Sequence, residues 1–227
     1  PPRSTLFPYT TLFRSRRREP LEETAAANKD VVFPFIHDVT DTGGAPGIVE
    51  KITRGVGTPT ILVNNAGIHL KKAADQVTAD DFRRILETHV VGAHALSAEV
   101  VPGMKKAGRG SILFIASMAS LFGIPLVLPY SAAKTGHLGM VRAMAVEFGG
   151  DGIRVNAIAP GWIESPMMLK SMEGDPKRAE KVLGRTALRR FGEASDVGLA
   201  AVYLCSPAAK FVTGTCLVVD GGASIGF

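Results

Sequence analysis

Short apolar runs alternate with longer segments in which apolar residues recur at helical spacing, from about residue 20 to the end of the chain. Five runs have the length and composition of strands that are buried on both faces. They lie at residues 31–36, 59–64, 111–116, 153–158 and 215–219. Helices are predicted at 78–106, with Thr78 as a candidate N-cap, and at 130–149, which ends in a pair of glycines. This alternation predicts an α/β fold with a doubly wound parallel sheet.

The first 18 residues do not follow this pattern. They contain the near-repeat Thr5-Leu6-Phe7 and Thr11-Leu12-Phe13, five arginines and no glycine. Pro8 interrupts the apolar stretch, and no small-residue cleavage site follows it, unlike in a signal peptide. We therefore expect residues 1–18 to be a foreign or disordered arm and residues 19–227 to form a single domain.

The composition narrows the class of protein. Hydrophobic residues make up 46% of the chain and charged residues 21%, as in a soluble folded enzyme. The arginines of the arm alone supply the formal net charge of +5, so no nucleic-acid partner is expected. No apolar run is long enough to span a membrane, and no set of His, Asp or Glu has metal-ligand spacing. Cys205 and Cys216 match neither a zinc motif nor a disulfide framework, which favours a cytoplasmic location.

The strongest chemical signal is a tyrosine and a lysine four residues apart, Tyr130 and Lys134. On a helix these side chains share one face, and a nearby ammonium lowers the pKa of a phenol toward the working pH. Ser117 ends the strand at 111–116, at the sheet edge where open α/β folds bind ligands. Its hydroxyl is a candidate to hold a substrate carbonyl, although Ser120 and Ser131 compete for that role and a loop cap is the structural alternative.

Several motifs together resemble the short-chain dehydrogenase/reductase family from about residue 19 to the end of the chain. Asn64-Asn65-Ala66-Gly67 resembles the family's NNAG, and Ser117, Tyr130 and Lys134 fit its S-x12-Y-x3-K. The run Arg154-Val155-Asn156 leads into Pro160-Gly161, and Thr213-Gly214 and Asp220-Gly221-Gly222 resemble the family's ending. The resemblance is strongest to gluconate 5-dehydrogenase-like and 3-oxoacyl-carrier-protein reductase-like members.

The resemblance implies a Rossmann-like, NAD(P)-dependent oxidoreductase that interconverts a ketone and a secondary alcohol. It implies that Tyr130 is the general acid/base, that Lys134 lowers its pKa and binds the nicotinamide ribose, and that Ser117 polarises the substrate oxygen. The implied cofactor-binding residues, besides Tyr130 and Lys134, are Asp38, Val39, Asn65, Ala66, Gly67, Pro160, Gly161 and Ile163. For Asp38, Val39 and Asn64, simple strand ends or turns are the structural alternatives.

Two departures from the family stand out. The family's proton relay uses an asparagine at a position that reads His89, which either still serves the relay or is a satisfied core residue. The first strand and the glycine-rich phosphate-binding turn are missing, which predicts unpaired strand edges unless residues 4–14 fill that place. A non-catalytic relative with a binding or structural role is therefore the competing hypothesis.

The remaining expectations concern the substrate, the cofactor and the oligomeric state. The segment 164–190 is expected to form a helical lid, with a sugar acid or a carrier-bound acyl chain as candidate substrates. A basic patch of Lys105, Lys106 and Arg109 would suit an acidic carrier protein, or is only a solvated helix end. The cofactor is NADP or NAD, and Arg17 and Arg18 are candidates to bind a 2′-phosphate. A homodimer or homotetramer is expected through the helices at 78–106 and 130–149, whose candidate contacts are Val90, Val91, Leu96, Leu138, Val141 and Met144.

Overall fold

The structure is a computed structural model that describes residues 11–15, 22–23, 26, 32–165, 168 and 176–226. Its centre is a four-stranded parallel sheet in the order β3-β4-β5-β6. These strands are Ile61–Asn64 (β3), Gly110–Ile115 (β4), Ile153–Pro160 (β5) and Cys216–Val219 (β6). All four coincide with predicted strands to within three residues at each end, which confirms the predicted parallel α/β fold.

Two further strands form a separate parallel pair. They are Thr11–Ser15 (β1) and Val32–Ile36 (β2), with Leu12 opposite Phe33. The strand at 31–36 was predicted, whereas β1 lies inside the segment expected to be an arm. That part of the segment is therefore a strand of a sheet, not a separate arm.

The expectation that residues 4–14 fill the place of the missing first strand is not met by the residues that the structure describes. Residues 11–14 belong to β1, which pairs with β2 and is not joined to the four-stranded sheet. β1 therefore pairs at the side of β2 and does not extend the four-stranded sheet. Residues 4–10 lie outside the described part of the chain.

Helices connect the strands and cover the sheet. They are Ala45–Gly55 (α1), Ala79–Leu86 (α2), Gly92–Ala107 (α3), Leu128–Phe148 (α4), Pro176–Arg185 (α5) and Ala194–Cys205 (α6). The predicted N-cap is confirmed, since the Thr78 side chain accepts a hydrogen bond from the Asp81 amide and the Asp81 carboxylate accepts one from the Thr78 amide. The predicted single helix at 78–106 is instead two α-helices joined by a π-helical turn at Glu87–Val91.

Two apolar clusters lie on the two faces of the sheet. One packs α1, α3 and α4 against it and includes Phe114, Met104 and Val155, all fully buried. The other packs α6 against Leu113 and Ile158. β4 and β5 are buried along almost their whole length, as expected for strands with helices on both faces. This packing fixes the strand ends that carry the candidate site.

Candidate active site

The candidate residues follow the carboxyl ends of adjacent parallel strands. Asn65 to Gly67 follow β3, Ser117 follows β4, and Gly161 to Ile163 follow β5. Tyr130 and Lys134 lie in the first two turns of α4, which packs beside the short helical turn Met118–Ser120. Parallel strands bring their carboxyl ends to one edge of the sheet, so one edge collects residues that are far apart in the sequence.

Ser117 and Tyr130 are in direct contact. Ser117 has an extended backbone, and its Oγ accepts a hydrogen bond from the Ala119 amide at 3.1 Å. A hydrogen bond from Ser117 also favours the ionised form of Tyr130, but burial of the phenol is the larger effect and raises its pKa above the ordinary value. This direction is opposite to that expected for the working enzyme. The structure therefore does not show the lowered tyrosine pKa that the resemblance implies.

Lys134 is a buried cation beside the tyrosine ring. Its side chain is only 4% exposed, and burial lowers its pKa from 10.5 to about 8. Nζ donates a hydrogen bond to the Ile115 carbonyl at 2.5 Å and lies 5.6 Å from the Tyr130 ring centroid. An ammonium has three donors, so Lys134 keeps donors for a ligand that enters the site.

His89, at the predicted relay position, lies in the middle of the π turn and is buried next to Tyr130. The two rings meet edge to face, with centroids 5.5 Å apart and an interplanar angle of 88°. The His89 Nε2 lies 2.8 Å from the Ile68 carbonyl oxygen and 3.1 Å from the Ile68 amide nitrogen, so its role as donor or acceptor depends on the tautomer. Burial, followed by the nearby charge of Lys134, lowers its pKa to about 4.

The turn at Asn65–Gly67 is exposed at the same edge, and Gly67 lies against the ring of His89. A Cβ on Gly67 would lie 2.5 Å from Cε1 of His89. Asn64 points away from this edge: it is buried and donates a hydrogen bond to Ser97 Oγ at 3.1 Å. The alternative that Asn64 has only a structural role is thereby supported.

Asp38 and Val39 follow β2 and make contacts typical of a turn. The Asp38 carboxylate accepts hydrogen bonds from the amide and the hydroxyl of Thr40. The Val39 carbonyl approaches the start of α3 so closely that a Cβ on Gly92 would lie 2.4 Å from it. Neither contact shows a cofactor role, which stays a prediction for both residues.

Pro160, Gly161 and Ile163 form the far side of the edge. Pro160 is the last residue of β5, and a Cβ on Gly161 would lie 2.5 Å from the Asp220 Cα. Ile163 forms an isolated parallel bridge with Gly192. The loop after β5 is thus held against the C-terminal turn at 220–222 and against the segment before α6.

Sequence reasoning missed two histidines. The exposed His69 ring lies 5.1 Å from the Tyr130 ring, and the buried His137 forms a hydrogen bond to the His89 main-chain carbonyl at 2.8 Å. The signal for His137 was present, because it lies three residues after Lys134 and seven after Tyr130, on the same helical face. His69 follows Gly67 by two residues, which places it next to the predicted cofactor turn.

Some predictions fall on residues that the structure does not describe. Arg17 and Arg18 lie outside the described part of the chain, as do residues 166–167 and 169–175 of the expected lid. The later part of that segment contains α5, so its predicted helical character is confirmed there. Of the described residues, no helix is long and apolar enough to cross a membrane, and no three His, Cys, Asp or Glu side chains cluster as a metal site.

Known proteins are similar to this chain over nearly its whole length. A protein-family model described as Enoyl-(Acyl carrier protein) reductase matches residues 9–224, including β1. The 3-oxoacyl-[acyl-carrier-protein] reductase FabG of Thermotoga maritima is 36% identical over 86% of this chain and 78% of its own. The chain belongs to the short-chain dehydrogenase/reductase family. Its predicted class, an NAD(P)-dependent oxidoreductase, is thereby confirmed.

Other members of the family show its functional range. The inactive 2-(S)-hydroxypropyl-CoM dehydrogenase 2 of Xanthobacter autotrophicus is 37% identical over 82% of both chains. The gluconate 5-dehydrogenase of Burkholderia cenocepacia, solved with NADP and tartrate, is 27% identical with a TM-score of 0.90 over 96% of this chain and 86% of its own. A 7α-hydroxysteroid dehydrogenase, solved with NADH and 7-oxo glycochenodeoxycholic acid, is 34% identical with a TM-score of 0.87 over 93% of this chain and 83% of its own.

Proposed function

We propose that this protein reduces a ketone to a secondary alcohol, or catalyses the reverse oxidation, with Tyr130 as the general acid/base. The observation that carries the proposal is the convergence of the Ser117 hydroxyl, the Tyr130 phenol and the Lys134 ammonium at one sheet edge. A phenol in hydrogen-bond contact with a hydroxyl and beside a buried cation is suited to proton transfer to an oxygen atom.

Each of the three side chains has a different role when the ketone is reduced. Ser117 donates its hydroxyl hydrogen to the substrate carbonyl oxygen, because a carbonyl oxygen only accepts hydrogen bonds. The Ser117 Oγ still accepts a hydrogen bond from the Ala119 amide, which holds the hydroxyl in place. Tyr130 passes its hydroxyl proton to the same oxygen while hydride adds to the carbon atom. The Lys134 charge stabilises the phenolate that remains. In the oxidation direction Tyr130 takes the proton back from the alcohol.

The residues present fit the nicotinamide end of NAD(P). When bound, this cofactor supplies or accepts the hydride. Lys134 has donors left for ribose hydroxyls, and the exposed turn at Asn65–Gly67 borders the same space. Tyr130, Pro160, Gly161 and Ile163 complete the edge, with Asp38 and Val39 proposed on the adenine side. Relatives bind NADP or NADH, so either cofactor is compatible with the proposal.

A small polar ketone of the sugar-acid type suits this site better than a carrier-bound acyl chain. His69 places a polar, exposed ring beside Tyr130, so a substrate bound at Tyr130 would lie next to a polar side chain. Lys105, one of the three candidate docking cations, is already paired with Asp151 at 2.8 Å and lies over the Phe148 ring. This ion pair reduces the positive charge that Lys105 could offer to an acidic carrier protein. Parallel assays with 5-ketogluconate and acetoacetyl-CoA test the choice, and faster turnover of the thioester would refute it.

Tyr130→Phe tests the proposed reaction. The variant keeps the ring packing but cannot exchange a proton, so kcat/KM should fall by a factor of about 10² to 10⁴ while NADPH binding is retained. Tyr203→Phe is the matched control, because Tyr203 lies on α6 and its loss should leave turnover unchanged. Turnover that survives in Tyr130→Phe would rule out this assignment.

The competing hypothesis is a relative without catalytic activity. The departure at His89 favours it, and so does the existence of a related chain described as inactive. The two hypotheses differ in one observation. A non-catalytic relative would show no nicotinamide-dependent absorbance change with any ketone or alcohol of the panel, and Tyr130→Phe would then behave as wild type in every assay.

We also propose that the chain assembles as a homodimer or homotetramer through the faces of α3 and α4. Three of the six predicted contact residues, Leu96, Val141 and Met144, are buried in the monomer core, so they are not available to a partner. Exposed apolar side chains near these helices support the proposal instead: Val91 is 41% exposed and Val146 is 87% exposed.

A further inference from the structure

Two buried imidazoles connect α4 to the π turn beside the active site. The His137 Nε2 lies 2.8 Å from the main-chain oxygen of His89, and the two rings lie 6.3 Å apart. A carbonyl only accepts hydrogen bonds, so Nε2 of His137 carries the hydrogen and donates it. His137 is 1% exposed and His89 is 2% exposed, which makes both rings part of the interior.

The contacts continue from His89 to the groups that react. One His89 ring nitrogen is held by the main chain of Ile68, which comes directly after the Asn65–Gly67 turn. The His89 and Tyr130 rings meet edge to face, and a Cβ on Gly67 would lie 2.5 Å from the His89 Cε1. Any displacement of the His89 main chain therefore moves a group in contact with both the tyrosine and the cofactor turn.

The π turn explains why the His89 main chain needs support from a side chain. Across this turn the Gly92 amide bonds to the Glu87 carbonyl, five residues back, and the regular α-helical pattern is interrupted. π turns are wider and rarer than α-helical turns and occur frequently at functional sites. A hydrogen bond from a neighbouring helix holds such a turn in one conformation.

We propose that His137 is a positioning residue for the reaction, because its hydrogen bond to the His89 carbonyl fixes the His89 ring between Tyr130 and the Asn65–Gly67 turn. The proposal rests on the proposed function of Tyr130. His137 acts through His89 and does not touch the reacting atoms.

The titration behaviour fits a fixed donor and not a proton carrier. Burial, followed by the charge of Lys134, lowers the pKa of His137 to about 4, while the pKa of Lys134 is about 8. At neutral pH the ring is therefore neutral. Moving a proton from Lys134 onto His137 would be unfavourable by a factor of about 10⁴, so the ring serves as a donor of one hydrogen bond.

Two amide substitutions at His137 that differ only in side-chain length test the proposal. In His137→Gln the side-chain N–H reaches about as far as Nε2, whereas His137→Asn is one carbon shorter and cannot reach the carbonyl. We expect His137→Asn to lower kcat about tenfold or more and to weaken NADPH binding, because small misplacements of reacting groups are costly. His137→Gln should retain most of both. The pH dependence of kcat should shift in the Asn variant only.

Two further measurements separate positioning from simple loss of stability. Met104→Ala removes a fully buried side chain in the core and should lower Tm without changing kcat or its pH dependence. The Tyr130 pKa, measured by tyrosinate absorbance against a Tyr130→Phe background, should move toward 10 in His137→Asn and stay unchanged in His137→Gln. This titration reads the tyrosine's surroundings even if no substrate is turned over.

Three results would contradict the proposals for His137 or Tyr130. Equal kcat, equal NADPH affinity and an equal Tyr130 pKa in the Gln and Asn variants would overturn the positioning role. An Asn variant that behaves like Met104→Ala, with a lower Tm and nothing else changed, would also overturn it. An inactive wild-type protein would refute the proposed function, and the Tyr130 titration would still decide whether His137 positions the tyrosine.

Discussion

A methyl group on Gly67 would collide with the ring of His89. The added Cβ would lie 2.5 Å from Cε1 and 3.2 Å from both ring nitrogens. The ring cannot yield easily, because it is buried against Tyr130 and held by Ile68. A glycine at this place therefore allows the Asn65–Gly67 turn and the His89 ring to approach each other.

Gly67→Ala should accordingly weaken cofactor binding about tenfold or more and destabilise the fold by about 1–3 kcal/mol, the usual cost of overpacking. Fluorescence titration with NADPH and thermal unfolding measure the two effects. The matched control is Gly47→Ala in α1, where a Cβ meets nothing within 4 Å and alanine favours the helix. Normal NADPH affinity in Gly67→Ala would show that the close approach does not matter for binding.

Individual residues differ in how far the sequence could predict them. Tyr130 and Lys134 were predictable because four residues bring two side chains to one helical face. The partner of Lys134, the Ile115 carbonyl, was not, since it comes from a strand 19 residues away. The raised pKa of Tyr130 depends on burial by the surrounding fold, and the spacing of residues does not indicate how deeply a side chain is buried.

Among the elements, the predicted helix at 78–106 shows a feature that apolar periodicity does not predict. Apolar spacing continues through residues 87–91, so the pattern predicts one unbroken helix, whereas the structure inserts a π turn. A π turn adds one residue to a helical turn without any particular composition, so the apolar spacing of residues 87–91 does not predict it. This turn carries His89, the residue at which the chain also departs from its family.

The exposed faces of α3 and α4 lead to a prediction about assembly. Val146→Asp places a charge on the most exposed large apolar residue of α4 and should shift the molar mass measured by light scattering toward that of a single chain. Leu199→Asp is the matched control on α6, where Leu199 is 71% exposed. If Leu199→Asp dissociates the oligomer and Val146→Asp does not, the interface lies on α6.

For the whole molecule, the predicted fold class followed from strands that are buried on both faces. Such strands are nearly continuous apolar runs, so β4 and β5 were visible in the sequence. β1 was not, because Arg14 within it and Arg16 to Arg18 just after it gave the segment the character of a basic arm. Its pairing with β2 depends on a partner 21 residues away, which local composition does not reveal.

The buried histidines also set how the stability of the whole molecule depends on pH. His89 and His137 have an ordinary pKa of 6.5, and both have a pKa of about 4 in the folded chain. As the pH falls from 6.5 to 4, the unfolded chain binds two protons that the folded chain does not, so the stability present above pH 6.5 is lost over this window. Each histidine accounts for about 3 kcal/mol.

Urea unfolding at pH 7.5 and at pH 4.5 measures this loss, which should amount to several kcal/mol, a large share of the stability of an ordinary domain. His137→Gln cannot titrate and keeps a donor for the His89 carbonyl, so it should lose about half as much. The lowered pKa of Asp81, held near 2 first by its hydrogen bond with Lys72, takes effect only below pH 4 and does not confuse the result. A wild-type protein with equal stability at both pH values would show that these rings are hydrated in solution, and an unchanged pH dependence in His137→Gln would show that His137 is not one of the groups responsible.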